Sequence, residues 1–302
     1  MARVNRSKAI RPSQHGGPGR SGPARPKSLR LPEVTLVCVQ PRVPVLGVAT
    51  LQHCMRDIDF AQVLLFTDPD ALSQAPEGIE LKGLRLESPA AHADFMLRGL
   101  VHYLQTSHVL IVQWNGFVLD ASQWDPAFQL YDHVCAPVEP GTSAFGARQT
   151  SFSLQSRRLL QAMQDPAMLI RASENHFLPH DNRQRLEQVH DVRFAPTELA
   201  RRFSFDHLRP DGATLGFQGL HNLPRVLRPD ALRRLVRSLP DELLAGQAGQ
   251  MLCAGLISQG QLVIAQMIIE RRRRLGLQVW STLRLRARLV LAGLMRSGHK
   301  RA

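Results

Sequence analysis

Three short apolar runs, separated by segments of helical periodicity, constrain the fold of this chain more than any other feature. Residues 34–39 and 109–112 are short apolar runs rich in β-branched side chains, and residues 61–67 form a further apolar run, which predicts three buried strands. Apolar residues recur at helical spacing over 46–55 and again over 92–105. Strands that alternate with helices predict an α/β fold with a layered, mostly parallel sheet.

The third apolar run breaks directly into a polar and aromatic turn. Gln113, Trp114, Asn115 and Gly116 follow residue 112. In open α/β sheets, ligands bind just beyond the carboxyl ends of the strands, so this turn is a candidate ligand site. The alternative is a purely structural turn, in which Gly116 supplies a permissive backbone and Trp114 packs.

Positive charge is concentrated at the two ends of the chain. The 302 residues carry a formal net charge of +13, but residues 31–229 hold 17 basic and 21 acidic side chains. The surplus therefore lies in residues 1–30, with eight Lys/Arg and no acid, and in residues 230–302. A basic central domain is excluded, so the folded region lacks the positive charge that is typical of nucleic-acid binding.

Composition divides the chain into three parts. Residues 1–30 are rich in Arg, Pro, Gly and Ser and are predicted to form a disordered basic tail. Residues 31–228 form the predicted α/β domain, and residues 229–302 a basic helical extension of two or three helices. Within this extension, residues 271–274 are expected to be a solvated helix end.

The last predicted helix, over residues 280–295, mixes arginines with large apolar residues. Such a basic amphipathic helix can lie on an anionic bilayer. It can equally dock on its neighbours and point its arginines at water. The sequence leaves both alternatives open, and with them a peripheral contact at the inner membrane.

The cysteines and the hydropathy pattern favour a cytoplasmic protein. Cys38, Cys54, Cys135 and Cys253 are widely spaced and form no CxxC pair, which is typical of reduced thiols. No segment has eighteen consecutive apolar residues, and the basic N-terminus lacks the apolar core of a signal peptide.

Several ordered blocks between about residues 32 and 224 carry a resemblance to a known family. The blocks are VTLVCV, DFAQVLLFTD, DFMLRGLVHYLQTSHVLIVQWNGFVLDASQWDPAF, YDHVCAPV, FSLQSRRLL, FAPTELARRFSF and LGFQGLHN. Together they resemble an uncharacterised bacterial glycosyltransferase-like family, domain of unknown function 5672. The resemblance implies a Rossmann-like type A glycosyltransferase domain with a mixed, mostly parallel sheet. It also implies a nucleotide-sugar donor and, commonly, a divalent cation such as Mn²⁺ or Mg²⁺.

The chain departs from the family pattern at three charged or metal-competent positions and in one glycine-rich block. Asn115 stands where the family has Asp, Asn175 where it has the Asp of a Glu-Asp pair, and Gln218 where it has His. Residues 148–151 replace the Gly-Asn-Gly-Gly of the family with Arg, Gln, Thr and Ser. Two explanations stay open: metal-free catalysis with Arg148 or Arg42 supplying charge, or a fold that has lost the reaction.

The resemblance suggests a set of site residues, which we carry forward as predictions. Glu174 is the candidate catalytic base. The nucleotide-sugar donor is assigned to Asp68, Gln113, Asn115 and Arg148. The substrate side is assigned to Trp114, Tyr131, Asp132, Gln218 and His221. Metal ligands are left unassigned, although His221 could substitute for the histidine of the family.

Each assignment has a structural alternative. Asp68 can be a strand-end turn residue, Glu174 a surface or capping carboxylate, and His221 a turn histidine. Asp120 and Asp125 have weaker claims as site residues, and Asp125, which precedes a proline, is expected to start a helix.

The predicted function is transfer of a sugar from a nucleotide-activated donor to a glycan, lipid-linked or protein acceptor. Such an enzyme would serve surface polysaccharide, lipid-linked glycan or protein glycosylation. The alternative is a non-catalytic binding or assembly module with a glycosyltransferase-like fold.

Overall fold

The computed structural model describes residues 29–72, 74–137, 151–168, 182–207, 210–276 and 279–299. The main sheet of the described residues has six strands in the order β3-β2-β1-β4-β6-β5. The strands are β1 (Leu29–Val39), β2 (Ile58–Thr67), β3 (Glu80–Gly83), β4 (His108–Val112), β5 (His133–Cys135) and β6 (Phe152–Ser156). All neighbours pair in parallel except β6, which runs antiparallel to β4 and β5. The mixed, mostly parallel α/β sheet expected for a Rossmann-like fold is therefore present.

Both faces of the sheet are buried, which explains the unbroken apolar runs of its central strands. Side chains alternate between the two faces along a strand. Leu36 and Cys38 of β1 belong to the main hydrophobic cluster, while Val37 and Val39 belong to a second cluster on the other face. Central strands of this kind are recognisable in the sequence because apolar residues dominate both of their faces.

Helices and short turns cover the sheet and continue beyond it. The α-helices of the described residues are α1 (Pro44–Cys54), α2 (Pro89–Asp94), α3 (Arg157–Ala162), α4 (Arg183–His190), α5 (Thr197–Phe203), α6 (Leu223–Val226), α7 (Pro229–Ser238), α8 (Asp241–Ala245), α9 (Gln247–Ser258), α10 (Leu262–Arg274) and α11 (Val279–His299). Helix α2 runs on into a π-helical turn and a 3₁₀ turn that end at Tyr103. Two further short strands, β7 (Ser204–Phe205) and β8 (Gly216–Phe217), pair in parallel.

Residues 154–163 of the sequence predict a single helix, and this prediction is wrong, because the segment begins within strand β6. All five residues of β6 are buried, and the chain turns into α3 only after Ser156. The Ser156 hydroxyl accepts a hydrogen bond from the Leu159 amide at 3.0 Å, which caps α3. Apolar residues on both sides of this cap produced the spacing that looked helical.

The extension contains five helices in its described part, α7 to α11, rather than two or three. Its apolar residues, among them Leu232 and Leu252, belong to the same hydrophobic cluster as Leu36 of the sheet. A Cβ atom on Gly255 of α9 would lie 2.7 Å from the backbone of His221, so α9 packs closely against the turn after β8. Composition changes at Pro229, but the core continues across that boundary.

The arginine run at the end of α10 is not uniformly solvated. Arg272 is 1% exposed and donates hydrogen bonds to the carbonyl groups of Leu244, Ala245 and Gly246, where α8 ends. Arg271 pairs with Asp241 at the start of α8. These two side chains fasten α10 to α8, because carbonyl groups at a helix end lack partners within the helix.

All four cysteines lie within the described residues and are free thiols, as their spacing predicted. Among the described helices, none has both the length and the apolarity required to cross a membrane.

Candidate functional site

The carboxyl edge of the sheet gathers several of the predicted site residues. Strands β1, β2, β4 and β5 end at this edge, whereas the antiparallel β6 begins there, since Val112 pairs with Phe152. Asp68, the 113–116 turn and Cys135 therefore share one edge with Ser151, which precedes β6. Arg42, exposed in the loop after β1, also belongs to this edge.

The turn after β4 is tight and holds Asn115 in a buried position. The backbones of Gln113 and Gly116 exchange hydrogen bonds of 2.8 and 2.9 Å. Asn115 is 7% exposed, and its Oδ1 atom has no hydrogen-bond partner among the described residues. A Cβ atom on Gly116 would lie 2.5 Å from the Ser151 hydroxyl, so only glycine fits there. Trp114 packs partly buried against the main core.

A second group of polar residues follows the small β7–β8 sheet. Asp206 and His207 come directly after β7, and Gln218 and His221 come shortly after β8. Pairing of the two strands brings their ends together, so the Gln218 amide nitrogen donates to Asp206 Oδ2 at 3.4 Å. The imidazole rings of His207 and His221 stack with centroids 4.6 Å apart and planes inclined by 9°. We call these four residues the 206–221 cluster.

Close packing fastens the 206–221 cluster to the carboxyl edge of the main sheet. The Leu119 amide donates to the Leu215 carbonyl group at 2.7 Å, and Val118 bridges to Gly216. A Cβ atom on Gly216 would lie 2.5 Å from the ring of Phe152, the first residue of β6. The cluster is therefore attached both to the segment after Asn115 and to the start of β6.

Cys135, the last residue of β5, also lies within electrostatic reach of the cluster. Burial raises the pKa of the Cys135 thiol, and the Asp206 carboxylate raises it further, to about 12. A thiol with this pKa is protonated at neutral pH, so Cys135 is no nucleophile here. The interaction does show that Asp206 lies close to the end of β5.

Burial also governs the ionisation of the cluster itself. Asp206 is 6% exposed, and burial raises its pKa to about 6 against the opposing influence of His207 and Gln218. Burial lowers the pKa of His221, and the neighbouring His207 lowers it further. At neutral pH Asp206 is therefore a buried carboxylate whose charge lowers the stability of the fold. His221 is a neutral imidazole, and the neutral imidazole is the form that ligates metals.

The three ionisable side chains of the cluster meet the requirements of a metal site. One ligand atom from each of Asp206, His207 and His221 lies within 4.8 Å of the other two. Asp206 Oδ1 is 3.4 Å from His221 Nε2 and has no hydrogen-bond partner among the described residues. A carboxylate and two imidazoles are a common ligand set for Zn²⁺ and related divalent cations. The group could therefore hold a metal ion.

Gly219 keeps the space beside these ligand atoms open. Its φ angle is +94°, and a Cβ atom there would lie 2.8 Å from Asp206 Oδ1 and 2.6 Å from His221 Cε1. Any side chain would therefore enter the position where the two ligands converge.

Asn222 fixes the backbone that carries the 206–221 cluster. It is fully buried, and its amide nitrogen donates to the carbonyl groups of Asp206 and Gln218, both at 2.7 Å. These bonds tie the end of β7 to the end of β8 and fix the separation of the ligands.

Sequence reasoning missed Asp206, His207 and Asn222. His221 was the one histidine expected near Gln218, whereas His207 stacks directly on His221. Residues 203–217 show no clear period, and β7 and β8 have two residues each, too few for a pattern. The available signal was an acid followed by a histidine directly after the FSF block.

Tyr131 and Asp132 do not join the other predicted residues. They precede β5, so they lie at the edge of the sheet opposite Asn115. Asp132 accepts hydrogen bonds from the Ser156 hydroxyl at 2.6 Å, from Arg158 Nε at 3.0 Å and from the Arg193 amide at 2.7 Å. These contacts are those of a structural carboxylate.

The remaining acids occupy turns. The partly exposed Asp68 carboxylate accepts a hydrogen bond from the Asp70 amide at 3.0 Å and lies 3.7 Å from Arg85 Nε. Asp120 and Asp125 each accept a backbone amide at the start of a 3₁₀ turn. The predictions for Arg148, Glu174 and Asn175 fall outside the described residues.

Comparison with known proteins adds no assignment. No family model matches this chain, and no curated protein matches it either. The resemblance to the glycosyltransferase-like family therefore stays a prediction.

Proposed function

We propose that this chain is a glycosyltransferase that binds a nucleotide-activated sugar at the carboxyl edge of its sheet. The observation that carries the proposal is the 206–221 cluster, a cation-competent group at the edge where α/β sheets bind ligands. The ordered sequence blocks and the mixed sheet support the same proposal. A divalent cation would be held by Asp206, His207 and His221.

Glycosyl transfer requires charge neutralisation of the departing diphosphate and deprotonation of the attacking hydroxyl group. When bound, the cation would supply Lewis-acid neutralisation of the diphosphate. In this proposal, Asp206 takes over the carboxylate role that Asn115 cannot fill, because an amide carries no charge. Arg42, at the same edge, adds positive charge to the phosphate side.

Two amide oxygens in the region are suited to a hydroxyl-rich ligand. Asn115 Oδ1 and Gln218 Oε1 are buried and accept no hydrogen bond from the described residues. A buried acceptor without a donor costs about 1–3 kcal/mol, so a ligand that donates here gains affinity. Sugar hydroxyl groups are such donors. In the proposal, Asn115 and Gln218 orient the sugar, while Glu174 stays the predicted base for the acceptor.

A non-catalytic module is the second candidate, and one observation favours it. Asn115 occupies the strand-end position that carries Asp in the resembling family, and the Ser151 hydroxyl donates to its backbone carbonyl group at 3.3 Å. Because an amide carries no charge, a donor could bind beside Asn115 without being activated.

Calorimetric titration of the full chain with a panel of nucleotide diphosphate sugars, with and without Mn²⁺, tests the proposal. We expect one donor to bind, Mn²⁺ to strengthen binding about tenfold or more, and nucleoside diphosphate to appear on incubation with acceptor glycans. Binding without release of nucleoside diphosphate would select the non-catalytic module. Failure of every donor under both conditions would overturn the transferase and would leave only a module that binds a glycan or a protein partner.

Matched variants locate the effect. His221→Ala should abolish the strengthening of donor binding by Mn²⁺. His102→Ala, at an exposed histidine that is distant from the cluster in sequence, should retain it. Asn115→Ala should weaken donor binding about tenfold through loss of one buried acceptor, with or without Mn²⁺. If Mn²⁺ strengthened donor binding equally in His221→Ala and His102→Ala, the 206–221 cluster would not be part of the donor site.

A further inference from the structure

Helix α11 carries two apolar faces, and the described residues pack against only one of them. Thr282 and Leu285 are 7% and 5% exposed, and Leu289 packs partly buried against the main core. Their spacing of three and four residues defines the face that docks on the neighbouring helices. Docking of α11 thus follows one of the two alternatives that the sequence left open, but it leaves the other face unexplained.

The opposite face of α11 exposes a continuous apolar stripe. Trp280 is 78% exposed, more than any other large apolar side chain of the described residues. The remaining members are between 48% and 65% exposed: Leu283, Val290, Leu291 and Leu294. At about 100° per residue, these five side chains fall within an arc about 100° wide, opposite the docked face. We call this surface the α11 stripe.

Arginines line both margins of the α11 stripe. By the same helical geometry, Arg284 and Arg288 lie along one margin and Arg286 along the other, and all three are exposed. Residues 271–302 contain ten Lys/Arg and no Asp or Glu. An apolar band with guanidinium groups on both sides needs a partner that is apolar in its interior and negative at its surface.

The charge pattern discriminates among occupants. A second copy of the helix would bring like-charged margins together, which is destabilising. A nucleic acid would pair with the arginines but has no apolar surface for the stripe. An anionic bilayer satisfies both features, because its acyl boundary accepts the apolar side chains while lipid phosphates face the arginines. Tryptophan is also the residue that favours this boundary.

We propose that α11 lies in the interface of an anionic lipid bilayer, with the α11 stripe inserted and its arginines at the phosphate level. The stripe spans about 21 Å between Trp280 and Leu294, at about 1.5 Å per residue. The docked face keeps the rest of the protein attached to α11, so the whole chain is held at the membrane surface. This proposal does not depend on the proposed function.

Titration of the full chain with lipid vesicles, followed by tryptophan fluorescence and co-sedimentation, tests the proposal. Vesicles of phosphatidylcholine with phosphatidylglycerol should bind the chain and shift its emission to the blue. Pure phosphatidylcholine vesicles should bind at least about tenfold more weakly. Added salt should weaken the binding, since the phosphate contacts are exposed to solvent.

Surface variants test whether vesicle binding depends on the α11 stripe or on any exposed apolar residue. The double variant Leu283→Ser/Leu291→Ser should lose about tenfold or more in vesicle affinity, and Val263→Ser, an exposed apolar residue of α10, should not. Arg284→Gln/Arg288→Gln should lose the preference for anionic vesicles, with Arg234→Gln on α7 as its control. Trp280→Ser should abolish the blue shift, because Trp114 and Trp124 are partly buried.

Three results would overturn the proposal. The first is no binding to anionic vesicles, and the second is equal loss in the Leu283→Ser/Leu291→Ser and Val263→Ser variants. The third is lipid-free self-association of the native chain that Leu283→Ser/Leu291→Ser abolishes, which would assign the stripe to a second copy. Far-UV circular dichroism of each variant verifies that the helices are retained.

Discussion

Asp132 and Asp206 are buried to nearly the same extent, 5% and 6% exposed, yet they differ in every contact. Asp132 lies at the amino edge of β5 and fills both of its oxygens with donors from Ser156, Arg158 and Arg193. Asp206 lies beyond the carboxyl end of β7 beside two histidines, with Oδ1 unmatched by a donor among the described residues.

This difference in partners sets opposite pKa directions. Burial acts to raise the pKa of Asp132, but the hydrogen bonds from Arg158 and Ser156 outweigh it and lower the pKa below 3.8. Burial of Asp206 is not offset in this way, so its pKa rises to about 6. Asp132 therefore stabilises the fold, whereas Asp206 weakens it unless a cation is supplied. A buried acid that costs stability is the better candidate for function.

Asp132→Asn should produce the largest effect, a loss of about 3 kcal/mol in the free energy of unfolding at pH 7, because it weakens charge-assisted hydrogen bonds from Arg158 and Ser156. The folded pKa of Asp132 is lowered, so its stabilisation is present above pH 3.8 and is lost as the pH falls through the folded pKa. The gap between native and variant chains should thus close below pH 3.8. Urea unfolding across this pH range measures it, and a loss under about 1 kcal/mol at pH 7 would contradict the structural role.

Asp206→Asn should act in the opposite direction and raise the free energy of unfolding at pH 7 by up to about 3 kcal/mol in the presence of a chelator. Protonated Asp206 favours the folded state below pH 3.8, and this contribution is lost as the pH rises through about 6. The gain of the variant should therefore vanish at low pH. With Mn²⁺ or Zn²⁺, the native chain should recover stability and the variant should not. If Asp206→Asn lowered the free energy of unfolding at pH 7, Asp206 would stabilise the fold as Asp132 does, which would contradict the prediction.

Gly219→Ala gives the most direct test of the ligand geometry. Gly219 and Gly276 both have positive φ angles, +94° and +63°, so alanine at either position introduces backbone strain of about 1–3 kcal/mol. A methyl group on residue 276 would meet no heavy atom of the described residues within 4 Å, whereas a methyl group on residue 219 would meet Asp206 and His221.

The two glycine variants are compared by their thermal shift with added Mn²⁺ or Zn²⁺. We expect Gly276→Ala to keep the shift of the native chain and Gly219→Ala to lose it. Equal shifts in the two variants would show that the space beside Asp206 is not used by a cation.

The sequence predicted the parts of the fold that depend on local pattern. Strands β1, β2 and β4 were recognisable because both of their faces are buried, and the turn at Asn115 because it ends such a strand. Strands β3 and β5 have four and three residues, too few for a period, and β6 was hidden by its continuation into α3. The short strands β7 and β8, which carry the cluster, were missed for the same reason.

Residue order alone determined the α/β class, the strand-end position of Asn115 and the basic ends of the chain, because these depend on near neighbours or on composition. Tertiary structure decided which acid is satisfied and which is not. Asp132 meets Arg158 and Asp206 meets His221 across 26 and 15 residues, through strand pairing that no local pattern encodes. It also decided which face of α11 is buried, since both faces are apolar and only packing against the core distinguishes them.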